Sequence, residues 1–295
     1  VPDAVSLDAV SPGATSLQAL FARDPEPPVE LAALLLAKDF APDLDVPAAL
    51  AELDALAAPL AARVQRAETA RDLAAALGTW LFDELGFRGN EDDYYDPRNS
   101  YLHEVIRARA GIPISLTVVM IAVGRRVGVA VEGVGLPGHF LARVVGRSVG
   151  DSTLVDPFFR GREVTPTLAA ELARRALGEA ARIRPEHLLP VGAARVDRDR
   201  PRAPPARPRH AGGARAMTVR MLSNLKGIHE GRGDHASALV VCDRLVDLTG
   251  APEARRDRAR HLLALNAVQA AVEDLEAWLL ARPDAPDAAE VRATL

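Results

Sequence analysis

The chain has 295 residues, a formal net charge of −4, 48% hydrophobic residues and one cysteine, with a mean hydropathy of +0.02. A chain of this kind is long enough for two ordinary domains and apolar enough to bury their cores, which excludes disorder throughout. A lone cysteine excludes a disulfide framework within the chain, and the acidic balance gives no support to nucleic-acid binding of the usual basic kind.

Lys38 and Lys226 are the only lysines, so the positive charge is almost all arginine. With the excess of Ala, Val and Pro, this reads as GC-rich coding bias. No segment approaches the roughly 20 uninterrupted apolar residues needed to span a membrane. Residues Val1 to Pro12 lack the positive start and apolar stretch of a targeting signal. The expected location is therefore the cytoplasm, with no membrane contact.

Residues 1–28 are rich in Pro, Asp and Ser and read as a mobile leader. From Val29 to Phe87 the periodicity is helical. Pro47 suits the first residue of a helix carrying Leu50, Leu53 and Leu56. A further helix holds Leu73, Leu77, Trp80, Leu81 and Leu85, with Gly86 as its C-terminal cap. Gly89 to Ser100 is polar and turn-forming, and Asn99 or Ser100 is expected to cap a helix over Tyr101–Ala110 that Gly111 stops. Pro113 then opens a helix to about Val127, ended by Gly128.

The period next changes. Val129, Val131 and Val134 suggest an extended segment, and His139–Val144 and Thr153–Phe158 read as two further strands. Thr165 to Leu177 is helical again. Residues 188–216 form the best linker, because the Pro- and Arg-rich run 197–209 cannot form a packed core. From 217 to the end the chain is helical and repeats itself. Ala238 and Leu245 recur as Ala271 and Trp278 at an offset of 33 residues, near the 34-residue tetratricopeptide period. Small alanines suit the close approach of paired helices. Cys242 falls on the packing face of the first copy and reads as a small core residue.

The chemistry-bearing stretch is Gly111 to Asp156. With Gly146 paired to Val149 in an antiparallel hairpin, His139 stands opposite Asp156. A carboxylate so placed holds one imidazole nitrogen and fixes the ring tautomer, which supplies two of the three members of a nucleophile–base–orienter array. A structural ion pair is the alternative. Asp92, Asp93 and Asp96 are clustered carboxylates, but their spacing fits no calcium loop, and turn capping is the expected role. Tyr94, Tyr95, Arg98, Asn99 and Tyr101 are candidate peptide-binding residues beside His139, and His103 and Glu104 on the following helix are within reach of the same cleft. No phosphate-binding glycine loop or Cys/His metal spacing is present, so no cofactor or metal is expected.

Four stretches together carry a resemblance: Tyr94-Tyr-Asp-Pro-Arg-Asn-Ser-Tyr-Leu102, Gly111-Ile-Pro-Ile-Ser-Leu116, Gly135-Leu-Pro-Gly-His-Phe140 and Val155-Asp-Pro-Phe158. They resemble the SirB-type family of bacterial proteins, over about residues 30 to 290. The resemblance implies an α+β fold: a helical, transglutaminase/cysteine-protease-like domain with a small antiparallel sheet over 29–187, then all-α tetratricopeptide-type hairpins over 217–295. It implies that His139 and Asp156 match the triad histidine and aspartate. The nucleophilic cysteine, which belongs at the start of a helix, falls on Pro113. Proline has no nucleophile, yet it suits a first helical turn.

Three functional expectations follow. The favoured one is a non-catalytic, regulatory module that binds a protein or peptide through its repeats. The second is an amidase, peptidase or acyl-transfer enzyme using Ser115, His139 and Asp156. Against it, Ser115 lies two residues beyond Pro113, so its side chain turns about 200° away. The third is nucleic-acid association through the Arg195 to Arg215 region.

Overall fold

The computed structural model describes residues 16–24, 26–178, 188, 190–191 and 213–295. Most of the leader and the Arg/Pro run, with the nucleic-acid expectation placed on it, lie outside these residues. The leader expected through residue 28 nonetheless contains a helix, α1 (Leu17–Arg23), which corrects that reading. Ser16 caps it by accepting from the Ala19 N–H at 3.2 Å. Leu17, Leu20 and Phe21 make an i, i+3, i+4 apolar stripe, and all three are buried.

Helix α2 (Val29–Lys38) is apolar on every side and buried from Val29 to Ala37, as befits the central helix of a bundle. Its one acidic residue, Glu30, is fully buried, and the guanidinium groups of Arg125 and Arg126 donate to its Oε1. Asp45 caps α3 (Val46–Ala57), so Pro47 is the second helical residue rather than the first. After α4 (Ala61–Arg66), α5 (Ala70–Gly78) starts with a Thr69/Asp72 capping box and widens into a π turn over Thr79–Glu84. Gly86 ends it with φ of +76°.

Two short strands, β1 (Arg88–Gly89) and β2 (Ala110–Gly111), pair in parallel and bracket a loop and helix α6 (Leu102–Ala108). The expected caps of α6 are corrected at both ends. Its N-cap is Tyr101, without a side-chain bond, because Ser100 lies in the tight turn Pro97–Ser100 and the Asn99 side chain holds the preceding loop. Arg109, with φ of +55°, stops the helix, and Gly111 belongs to β2. Helix α7 (Pro113–Arg126) follows the expected span and is buried along almost its whole length.

Helix α7 packs on β3 (Val131–Leu136) and β4 (His139–Val145), which continue through β5 (Ser152–Asp156) to β6 (Arg162–Glu163) as one antiparallel sheet in sequence order. The expected hairpin register is corrected by two residues. Val145 pairs with Ser152 and Ala142 with Val155, because the connection is longer than a two-residue turn. The Gly146 N–H donates to the Asp151 carbonyl at 2.8 Å. Asp151 is itself pinned where its Oδ2 accepts from the Ala70 N–H at 2.8 Å. A two-residue slip preserves the face of every side chain, so His139 and Asp156 still share one side of the sheet as diagonal neighbours. The strand expected through Phe158 ends at Asp156, where the chain turns. Helix α8 (Pro166–Leu177) then covers a smaller cluster of Val134, Leu136 and Leu141.

Beyond the undescribed segment come two helical hairpins, α9 (Ala214–Gly231) with α10 (His235–Thr249), and α11 (Pro252–Ala264) with α12 (Val268–Ala281), before a short α13 (Ala288–Thr294). Asp234 caps α10 by accepting from the Ser237 N–H at 3.0 Å, Gly250 ends it in the left-handed conformation, and Pro252 begins α11. Ala238 and Ala271 are fully buried where the helices meet, and Leu245 and Trp278 fill corresponding core positions. Helix α9 starts at Ala214, inside the expected linker.

The first hairpin is not an independent appendage. Leu222, Leu225, Val241 and Leu245 belong to the same core as α1, α2 and α7, while α11, α12 and α13 enclose a small core of their own. Arg244 also forks onto Asp39 at 2.7 and 2.8 Å. At roughly 1.5–3 kcal/mol for each large apolar side chain fully removed from water, the shared core is the main bond between the two halves.

Candidate functional site

The turn between β3 and β4 brings His139 to the start of its strand, paired with Leu136. Its Nε2 lies 2.9 Å from Oδ2 of Asp156, leaving Nδ1 without a hydrogen bond among the described residues. Asp156 is fully buried. Its Oδ1 accepts from the Phe158 N–H at 3.1 Å and from the Phe159 N–H at 3.4 Å, and Arg162 comes within 3.5 Å of Oδ2. A buried carboxylate needs such donors to be tolerated. Here they also fix its oxygens, so the imidazole is held in one orientation.

Aromatic rings surround this pair. Phe158 and Phe159 lie 6.3 and 6.2 Å from the His139 ring, centroid to centroid. Phe158 rests on the backbone at Gly89, where a Cβ would come within 2.7 Å of its ring. Gly89 pairs with Gly111, so the strand bridge ties the wall of the site to the start of α7 two residues later.

The proposed binding residues divide. Tyr94 packs edge-on against Phe158 at 5.8 Å and so joins the histidine's surroundings, and Tyr95 packs on Tyr94 at 5.3 Å. Burial pushes the Tyr94 phenol above its ordinary pKa, so it stays neutral. Arg98 is taken up by Asp96, whose carboxyl it holds below the usual range. Asn99 is buried inside the loop, with Nδ2 donating to the carbonyls of Asp93 at 2.7 Å and Tyr94 at 3.2 Å and Oδ1 accepting from Asn90 at 2.9 Å. Tyr101 is elsewhere. It stacks on Phe40 at 5.1 Å, and Phe40 stacks on His229 of α9 at 5.5 Å. His103 neighbours Tyr101 and Glu104, and Glu104 pairs with Arg107. Asp96 accepts from the Arg98 N–H at 2.9 Å in the expected turn role.

Ser115 faces away from solvent in the first turn of α7, fully buried. Its hydroxyl donates to the Asn99 carbonyl at 2.6 Å, lies 3.0 Å from the Ile112 carbonyl and accepts from the Ile112 N–H at 3.1 Å. The same residue therefore caps the helix and ties it to the loop. Cys242 is fully buried in α10, and burial pushes its thiol up to about 12. Thiolate chemistry is thereby suppressed. The rings of Phe158 and Phe159 and the guanidinium of Arg162 were missed in the sequence as site residues. The Asp-Pro-Phe-Phe run after Val155 was the available signal, since a turn there folds both rings back over the strand end.

Residues 47–197 match the transglutaminase-like superfamily and residues 225–295 match the tetratricopeptide repeat. A UPF0162 protein of Xylella fastidiosa (strain Temecula1) is 36% identical over 270 residues, covering 91% of this chain and 89% of that protein. The chain belongs to the UPF0162 family. UPF0162 protein PA3419 of Pseudomonas aeruginosa is 29% identical over 88% of this chain and 87% of its own. A 96-residue stretch is 38% identical to F-box only protein 21 of Mus musculus, covering 30% of this chain and 15% of that protein. No solved structure matches. The UPF0162 chain thus has the expected organisation, a transglutaminase-like domain followed by tetratricopeptide repeats, and among the described residues no helix is long and apolar enough to cross a membrane.

Proposed function

We propose that this protein is a non-catalytic binding module, in which a transglutaminase-like cleft keeps its His139–Asp156 pair but has lost the nucleophile. One observation carries the reading: Pro113 stands at the start of α7, the place that the resemblance assigns to the triad cysteine. Neither Ser115 nor the lone cysteine is suited to replace it. The Ser115 hydroxyl is consumed in capping, and Cys242 is buried in the repeat hairpin. The repeats support a protein or peptide as the partner, since stacked helical hairpins offer extended surfaces.

The test is a restored thiol. In a Cys242→Ala background, Pro113→Cys places a sulfhydryl at a helix N-terminus, where the thiolate is favoured. Iodoacetamide should alkylate it at pH 6 well above the rate of a free cysteine, and adding His139→Ala should slow the reaction at least ten-fold. A rate equal to that of a free cysteine, unchanged by His139→Ala, would show that Pro113 does not occupy the lost nucleophile's position.

A further inference from the structure

Four rings form a continuous ladder that begins beside His139, in the order Phe159, Phe158, Tyr94, Tyr95. Successive centroids are 5.2, 5.8 and 5.3 Å apart, with planes at 82°, 70° and 77°. Each contact is thus edge to face, which covers one face of one ring in each pair. Phe159 is 36% exposed, Tyr94 37% and Tyr95 70%. A run of large exposed aromatics is uncommon on a chain without a partner.

One face of the ladder already holds a cation from the same chain. The Arg162 guanidinium sits 4.3 Å over the Phe159 ring. Aromatic faces attract cations through the ring quadrupole, and here that chemistry is in use at one end and open at the other. The residues beside the open end complement a cation too. Glu91, Asp92 and Asp93 immediately precede Tyr94 and make no ion pair among the described residues. Asn99 and Asn90 bond this loop into one shape, so little ordering is required on binding. The nearby cations bound the surface on the other side. Arg232, the C-cap residue of α9, donates to the Tyr95 carbonyl at 3.1 Å and Arg220 of α9 donates to the Leu136 carbonyl at 3.3 Å, while Arg98 within the loop itself is paired with Asp96. A cationic group thus fits from the side of the acidic loop.

We infer that the ladder of Tyr94, Tyr95 and Phe159, flanked by Glu91, Asp92 and Asp93, is a docking surface for a basic peptide segment of a partner protein, seating an arginine or lysine side chain on the exposed tyrosine faces. This rests on the reading of the protein as a binding module and gives its partner a chemistry. The surface lies at the seam of the two halves, because the loop supplies the rings and α9 supplies the opposite edge.

The test uses the full-length protein and a fluorescein-labelled arginine pentapeptide, read by fluorescence anisotropy at 150 mM salt. Tyr95 is too exposed to matter for folding, so Tyr95→Ala is the cleanest variant. It should weaken binding by about three- to thirty-fold. Replacing Glu91, Asp92 and Asp93 by their amides should weaken it as well, whereas Glu273→Gln with Glu276→Gln, on α12, should leave it unchanged. A glutamate pentapeptide should not bind. The inference is overturned if Tyr95→Ala binds like the wild type, if the α12 variant loses as much as the loop variant, or if the acidic peptide binds equally well. Mass spectrometry of the recovered peptide separates the two readings. A peptide that binds as described but is cleaved or acylated would uphold the surface and refute the non-catalytic function.

Discussion

Ser115→Ala separates a capping serine from a nucleophilic one. The substitution removes a hydroxyl that the Asn99 carbonyl and the Ile112 N–H both use, at 2.6 and 3.1 Å. The Ile112 N–H is at the buried start of α7 and the Asn99 carbonyl is in the turn packed against it, both around a fully buried hydroxyl. Leaving a buried polar group unpaired costs about 1–3 kcal/mol. Two such groups, partly relieved by local relaxation, give an expected loss of about 2–4 kcal/mol. For a chain of this size that is a fall in Tm of roughly 3–7 °C. Equilibrium urea unfolding followed by far-UV circular dichroism measures it, with the midpoint falling and the slope unchanged. The geometry supplies an internal control. A Cβ at Gly111 would lie 2.6 Å from the Ser115 Oγ and 3.0 Å from a Val105 methyl. Gly111→Ala should therefore be destabilising alone and less so in the Ser115→Ala background, a coupling that a double-mutant cycle detects. A Ser115→Ala protein as stable as the wild type, or more stable, would refute the argument. Poised catalytic groups often behave that way, since active sites carry a stability cost.

Two further outcomes are expected. Phe21→Ala should destabilise the protein by about 3–5 kcal/mol by large-to-small truncation, because Phe21 is 4% exposed within the shared core and Arg215 lies 4.8 Å over its ring; an effect below about 1 kcal/mol in urea unfolding would mean that α1 is dispensable. Acidification should also weaken the fold. Burial lowers the pKa values of His229, His261 and His103, so below the ordinary histidine value of about 6.5 the unfolded chain takes up protons that the folded chain resists. Stability then falls as pH drops below about 6.5, His229→Gln should lessen the fall, and a urea midpoint that rises between pH 7 and pH 5 would contradict the burial seen for these rings.

Most of the architecture was legible in the sequence. Helix periodicity and the glycine stops placed α7, and the 33-residue offset placed α10 against α12. What failed did so for reasons of tertiary context. The leader reading rested on the prolines and missed that Leu17, Leu20 and Phe21 form a stripe that α2 and α10 bury. The hairpin register was misplaced because a contact from Ala70, distant in sequence, fixes Asp151 and lengthens the turn. The His139–Asp156 contact survived that slip because a shift of two keeps side chains on one face. Asn99 and Tyr101 looked like binding residues from their polar, aromatic character. Their burial, one inside a loop and one against Phe40, depends on long-range packing that local pattern does not encode.

The claim that this cleft has lost its nucleophile meets its most direct test in intact-protein mass spectrometry after incubation with a fluorophosphonate, a reagent that labels activated serines. The capping geometry of Ser115 predicts an unchanged mass for the wild type, with or without His139. A mass increment that maps to Ser115 and disappears in His139→Ala would establish a working serine–histidine pair and contradict the account.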